Sequence, residues 1–321
     1  MSAVSLRSNL FGAAAATGAM AFFSVTDVTI KLLSGDYPLH EIVLFRSLVG
    51  LLTILIFFLP FVGGFSVFRT RRLGMHLFRG LCVVLANLFF FVGLAVLPLA
   101  EAVAIFFVSP LLITVLSIIF LGERVGPRRW IAIFAGLIGV MIIVRPGTES
   151  FQIASILPML AALCYAMLHI LTRHIGATES AVTMTLYIQI TFVLVSLLMG
   201  LFLGGGQLDN DLHPSLSFLL REWHMPQVWE YWLFIAIGMT NAVGGFLISF
   251  AYRHGEATFV APFEYVAMPI SILWGVMVFG EMPDLIGFAG IALIMASGLF
   301  MVYRDIQTSQ ENIAKRPKFR R

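Results

Sequence analysis

Charge is scarce in this sequence. Only 12% of its 321 residues are Asp, Glu, Lys or Arg and 60% are apolar, against about 25% charged and 45–50% apolar in a soluble domain. So much apolar surface cannot be hidden inside a single water-soluble fold, and a mean hydropathy of +0.97 points to lipid as the solvent. Cysteine is almost absent: Cys82 and Cys164 both lie in apolar runs, which leaves no disulfide framework and no metal-ligand spacing. There is no G-x-x-x-x-G-K-[ST] phosphate loop and no H-E-x-x-H zinc motif, so neither ATP hydrolysis by that loop nor zinc hydrolysis has its usual machinery. No cofactor is expected. The alternating polar and apolar residues of a barrel strand are also missing, which excludes a transmembrane barrel. The net charge of +3 is no nucleic-acid footprint. Its basic residues are scattered between apolar runs, except for Lys315, Arg316, Lys318, Arg320 and Arg321, a tail suited to anionic lipid headgroups.

What is present in abundance is the long hydrophobic run. A helix needs about 20 mostly apolar residues to cross the hydrocarbon core. Breaks at charge clusters, glycine and proline give ten candidates, at about 9–33, 41–63, 74–96, 100–121, 129–145, 153–174, 180–204, 231–252, 256–279 and 284–303. The first is too long for the core of a secretion signal, and Asp27 and Lys31 interrupt its far end, so it reads as a retained span. With the N-terminus in the cytoplasm, 16 of the 20 basic residues fall inside and only Lys31, Arg46, Arg145 and Arg221 outside, as the positive-inside rule demands. An even number of spans then puts both termini inside and the long 205–230 connection outside. Its Trp223, Trp229 and Trp232 read as interfacial anchors.

The chain also repeats itself. Ala100-Glu101-Ala102 returns as Gly255-Glu256-Ala257, Ser109-Pro110 as Met268-Pro269, and Leu121-Gly122-Glu123 as Phe279-Gly280-Glu281. Gly136 and Gly139 space the fifth span, and Gly290 and Gly298 the tenth. Asn87 precedes Glu101 by 14 residues, and Asn241 precedes Glu256 by 15. Five spans per half force the second copy to enter from the opposite side. The fold expected is therefore an all-α polytopic membrane protein of ten transmembrane helices in two inverted five-helix repeats, residues 1–147 and 151–304, followed by a basic tail, 305–321. Secondary transporters are built this way, with substrate at the midplane between the repeats.

A five-span half ending in Leu-Gly-Glu and a glycine-spaced helix, together with Phe45-Arg46 in the second span, resembles the drug/metabolite transporter superfamily, and its EamA-type members above all. The resemblance covers about residues 9–304. It implies membrane transport, a central cavity lined by both halves, more peripheral fifth and tenth spans, and a bacterial inner membrane. Amino acids and their derivatives are the first expectation for the substrate, and flavin-like or nucleobase-like compounds the second. Protons as coupling ion and a homodimer are both compatible with it. A lipid-handling or non-transporting scaffold protein and an intramembrane enzyme using Asp27, His169 and Glu264 are the rival readings.

Ionisable groups inside hydrocarbon cost at least about 2.5–3.5 kcal/mol on insertion scales and need a partner or a watery cavity. Glu264 lies eight residues after Glu256, about 12 Å along a helix and near mid-membrane, with Pro262 and Pro269 on either side. It is expected either to line the cavity or to donate one interhelical hydrogen bond. Asp27, four residues before Lys31, reads either as a local ion pair or as a coupling site. Arg46 can meet Glu41 locally or Asp27 across helices. The resemblance raises its weight, and Gln189 is its approximate counterpart in the second repeat. Asn87 and Asn241 read as hydrogen-bonding glue or as cavity lining, and Tyr165 and His169 share one face of the sixth span. Phe22, Phe23, Phe106 and Phe107 can stack on an aromatic substrate or simply meet lipid. Glu123 and Glu281, at span ends, are expected to cap or tether loops.

Overall fold

A computed structural model describes residues 3–58, 68–121, 126–147, 152–175, 179–209, 213–254 and 260–314. Glu123, Glu256, Asn210 and the basic tail from Lys315 lie outside the described residues, as do the side chains of Arg173 and Pro262. Every regular element among the described residues is helical, the result expected where backbone polar groups find no water and must bond within their own segment.

The helices are α1 (Ala3–Leu33), α2 (Leu39–Thr53), α3 (Leu73–Leu94), α4 (Leu99–Phe106), α5 (Ser109–Leu121), α6 (Pro127–Val144), α7 (Ile156–Ile175), α8 (Ala181–Leu203), α9 (Pro214–Leu220), α10 (Tyr231–His254), α11 (Ala267–Trp274) and α12 (Leu285–Ala314). Seven apolar stretches are long enough to cross a membrane, from Leu10–Leu33 to Tyr231–Ile248, and three shorter ones, Trp130–Val144, Phe263–Phe279 and Leu285–Phe300, make up the ten. Helix starts carry ordinary signals. Ser180 caps α8 by accepting from the Thr183 N–H at 3.0 Å, and Pro127 occupies the first turn of α6, where its missing N–H costs nothing.

Two spans are discontinuous, at matched places in the two repeats. The fourth is α4 and α5, separated at Phe107-Val108. The ninth is a 3-10 segment, Ala261–Val266, then α11, then a π-helical turn, Gly275–Phe279. Pro110 and Pro269 follow the breaks and have no N–H to give to the carbonyls four residues back, those of Phe106 and Tyr265. The ninth span ends at Gly280, whose φ of 66° lies in the left-handed region that glycine enters without a Cβ penalty. That conformation explains the glycine of the Phe279-Gly280-Glu281 half of the repeat.

Packing follows the repeat. α1, first in its half, lies along α10, third in the other half, and α3 lies reciprocally along α7. α2 packs on its own counterpart α8, and α6 on its counterpart α12. The α6–α12 crossing is close because Gly139 and Gly290 meet there: a Cβ on either would stand 3.0 Å or less from the other's carbonyl oxygen. Small residues permit such contact between membrane helices. The fifth and tenth spans therefore pair with each other at the edge of the bundle. The other helices enclose an apolar core around Ile30, Leu94, Ile105, Ala161 and Ile237.

Candidate functional site

At the centre of the bundle Arg46 of α2 is 1% exposed. Its Nη2 donates to the Asn87 Oδ1 of α3 at 2.9 Å, and Asn87 donates on to the Val83 carbonyl at 3.3 Å. The guanidinium carbon lies 5.0 Å from the Phe192 ring centroid and 5.8 Å from that of Phe91, a cation–π setting worth most where water is excluded. Asp27 of α1 acts electrostatically on Arg46 across the helices. Glu41 turns instead to the backbone of His224. One turn along α2, Gly50 leaves room for the amide of Gln189, whose Nε2 would stand 2.8 Å from a Cβ there. Arg46 Nε and Gln189 Oε1 are both buried without a hydrogen-bond partner among the described residues. A narrow cleft of about 20 Å³ opens beside Asn87, lined also by His40, Phe192 and Ser196. That is room for about one water, well below the several hundred Å³ of a typical ligand pocket.

A second polar group gathers at the helix breaks. Glu264, in the 3-10 segment of the ninth span, is 7% exposed, and its charge acts on Tyr165 of α7 and on neighbouring Tyr265. Tyr165 lies 5.1 Å from Phe106 at the end of α4 and 4.4 Å, edge to face, from His169 one turn along α7. Tyr265 packs on Phe107 at 5.6 Å. Phe106 and Tyr265 each stand four residues before the proline that follows their break, so the two discontinuities contribute equivalent aromatic positions. Phe106 and Phe107 are thereby placed in the interior. Phe23 packs on Gly244 of α10, and Phe22 is 38% exposed.

The residues singled out from sequence fall into these two groups. Asp27, Arg46 and Asn87 form one, and Glu264, Tyr165 and His169 the other. Asn241 makes no hydrogen bond among the described residues. It sits three residues after Gly238, which packs on Val49 and the Arg46 carbonyl, so it lies on the face of α10 turned towards α2. Asp27 and Lys31 do not form the local ion pair considered above. Lys31 Nζ reaches both Glu281 carboxylate oxygens at 2.7 Å and the Leu97 carbonyl at 2.9 Å, while the Leu99 N–H donates to the same carboxylate at 3.0 Å. Glu281 does act as a tether, between repeats. Beside it Arg145 pairs with Asp284; that guanidinium, with the Gly287 N–H, holds the Asp284 carboxyl below the usual carboxylate range.

A model of the EamA-like transporter family matches residues 10–145 and again residues 152–303. The chain belongs to the EamA-like transporter family. It is similar to a riboflavin transporter of Vibrio cholerae, 31% identical over 77% of this chain and 78% of that one. An S-adenosylmethionine uptake transporter of Rickettsia bellii is 27% identical over 90% and 92%, and a pseudopaline exporter of Pseudomonas aeruginosa 29% identical over 86% and 90%. A solved crystal structure shares the fold with a TM-score of 0.64, at 18% identity over 90% of this chain and 95% of that one. The chain is thus an integral membrane protein of a family of small-metabolite transporters.

Two side chains lie where the sequence alone does not place them. Arg79 of α3 falls among the cytoplasmic charges when basic residues are counted, yet it is 4% exposed. Trp223 was grouped with the interfacial tryptophans; it packs instead on Gly200 and stacks on His40 at 5.5 Å. Trp229 and Trp232 are 63% and 73% exposed.

Proposed function

We propose that the chain is a secondary transporter for a small metabolite with a planar heteroaromatic ring, moved by rocking one repeat against the other. The observation that carries this reading is the matched pair of broken spans. Breaks leave backbone carbonyls free and weaken the helix where rocking must occur. Here they also set Phe106 against Tyr165 and Phe107 against Tyr265, with the charge of Glu264 acting on both tyrosines. Two of the three relatives' named substrates, riboflavin and S-adenosylmethionine, contain such rings, the third being pseudopaline; these names do not single out the amino acids and derivatives expected first. The site residues proposed are Glu264, Tyr165 and His169 at the breaks, and Asp27, Arg46, Asn87 and Asn241 at the centre.

Glu264 is the residue proposed to couple transport to protons, because a carboxyl group that can be neutral on one side and ionised on the other is a natural proton carrier. Asp27 is the alternative coupling site. The setting proposed is a bacterial inner membrane with both termini cytoplasmic. Purified protein in liposomes should take up radiolabelled riboflavin, S-adenosylmethionine or a related ring compound saturably, and faster than leucine or glutamate. Uptake of simple amino acids alone would overturn the ring assignment. Glu264→Gln keeps the shape and removes the titration, so it should abolish the stimulation of uptake by an imposed proton gradient. Uptake by that variant with the native pH dependence would remove Glu264 from coupling.

A further inference from the structure

Arg79 is a second guanidinium taken out of water, and its surroundings differ from those of Arg46. Its Nε donates to the Thr172 hydroxyl of α7 at 3.0 Å, and that hydroxyl donates on to the Leu168 carbonyl at 2.7 Å. Its Nη1 is buried with no hydrogen-bond partner among the described residues. Arg46 has the field of Asp27; Arg79 forms no ion pair among the described residues. Glu179 is engaged elsewhere, with His76 at 3.5 Å and the Thr70 hydroxyl at 2.8 Å. A buried cation without a counter-ion is among the costliest arrangements in a membrane protein. A purely structural pin between α3 and α7 would serve as well with a neutral amide.

The remaining argument is the face of α7 on which Arg79 ends. Tyr165, His169 and Thr172 follow one another at four and three residues, so they share that face. Arg79 acts electrostatically on His169, and Glu264 acts on Tyr165. From Thr172 to Tyr165 is seven residues, about 10 Å along the helix axis. The face therefore runs from a guanidinium with no ion pair among the described residues, past the rings of His169 and Tyr165, the latter against Phe106 of α4, towards the carboxyl group that acts on Tyr165.

We infer that this face is a substrate track in which Arg79 and Thr172 hold a carboxylate or phosphate group while Phe106 and Tyr165 stack a planar ring and Glu264 takes the opposite, cationic or hydrogen-donating end. The inference rests on the transporter reading and narrows its substrate to a ring compound carrying an anionic group within about 10 Å. Arg79 is the specificity-determining residue for that group.

Binding to the purified full-length protein tests this with two probe pairs, adenosine against adenosine 5′-monophosphate and riboflavin against riboflavin 5′-phosphate. In at least one pair the phosphorylated member should bind about tenfold tighter, the gain expected of charge-assisted hydrogen bonds. Arg79→Gln should erase that preference and leave the neutral member's affinity unchanged, while Arg79→Lys keeps part of it. If neutral rings bind without any gain from phosphate, the role given to Arg79 is wrong and the transporter reading survives. Equal loss of both members in a monodisperse Arg79→Gln protein would make Arg79 a structural pin. Failure of every probe to bind the native protein overturns the ring-transporter reading, and this inference with it. Should Arg79→Gln not fold, the native pair comparison and the Lys variant decide.

Discussion

Arg46 and Arg79 show what a single charge needs in order to stay inside a membrane bundle. Both sit in apolar spans, and either one facing lipid would oppose insertion by at least about 2.5–3.5 kcal/mol. Arg46 is compensated by a hydrogen bond to Asn87, the faces of Phe91 and Phe192, and the charge of Asp27; Arg79 has one hydrogen bond to a hydroxyl. At the opposite end of the bundle, in the connection between α1 and α2, Tyr37 is 2% exposed and its hydroxyl donates to the Glu230 carboxylate. Burial, together with the hydrogen bond to Glu230, pushes the phenol up to about 12. Because the folded-state value is raised, the stability this contributes is complete below the unfolded phenol's value near 10 and is lost as pH rises through about 12. Tyr37→Phe should therefore cost about 1.5–3 kcal/mol at pH 8, as for a hydrogen bond to a charged group. The gap in thermal unfolding between native and variant protein in detergent should close as pH climbs from 10 towards 12. A gap that stays constant to pH 12 would separate Tyr37 from that carboxylate. Arg46 was visible in the sequence because it interrupts an apolar run far from any cluster of charge. Arg79 was not, because Arg69, Arg71 and Arg72 precede it and a count of charges treats the four alike.

At the scale of elements, the loops are where reading from sequence falls short. Apolar run length placed the described spans to within a few residues, since crossing 30 Å of hydrocarbon demands about 20 residues of any helix. The discontinuities in the fourth and ninth spans are announced only by Pro110 and Pro269, and proline marks where a helix can break without saying how far it unwinds. The destination of Lys31 was illegible, because its partner lies 250 residues away and helical spacing speaks only for neighbours three or four residues apart. Its bridge to Glu281, joined by the Leu97 carbonyl and the Leu99 N–H, fastens the ends of the first, third, fourth and ninth spans. Glu281→Gln should free that end. In a cysteine-free background, a cysteine replacing Leu97, which is 2% exposed, should react with a small maleimide at least about tenfold faster once the pair is cut, a shift of about 1.4 kcal/mol. Exchanging the charges, Lys31→Glu with Glu281→Lys, should restore much of the protection. Unchanged reactivity in Glu281→Gln would mean that the pair is not what keeps this end shut.

Across the whole molecule the contacts come in twos: α1 on α10 answers α3 on α7, while α2–α8 and α6–α12 each join an element to its own counterpart. The repeat could be read from recurring tripeptides, but this reciprocal exchange of helices could not, because no residue spacing says which half a helix leans on. The inverted arrangement puts Arg71 and Trp229 at opposite ends of the bundle. In intact cells a membrane-impermeant reagent should modify a single cysteine at Trp229 and spare one at Arg71, which should react only after the membrane is permeabilised. Labelling of both from one side would overturn the topology. The reciprocity also bears on how the protein is made. A chain emerges from the ribosome N-terminus first, so α1, α2 and α3 enter the bilayer well before α7, α8 and α10, the helices that will cover them. Through that interval Arg46 has Asn87 and Asp27 from its own half, but Arg79 must wait for Thr172. The first five spans are therefore a dependent intermediate, and their release from the insertion machinery has to be timed to the arrival of the second set.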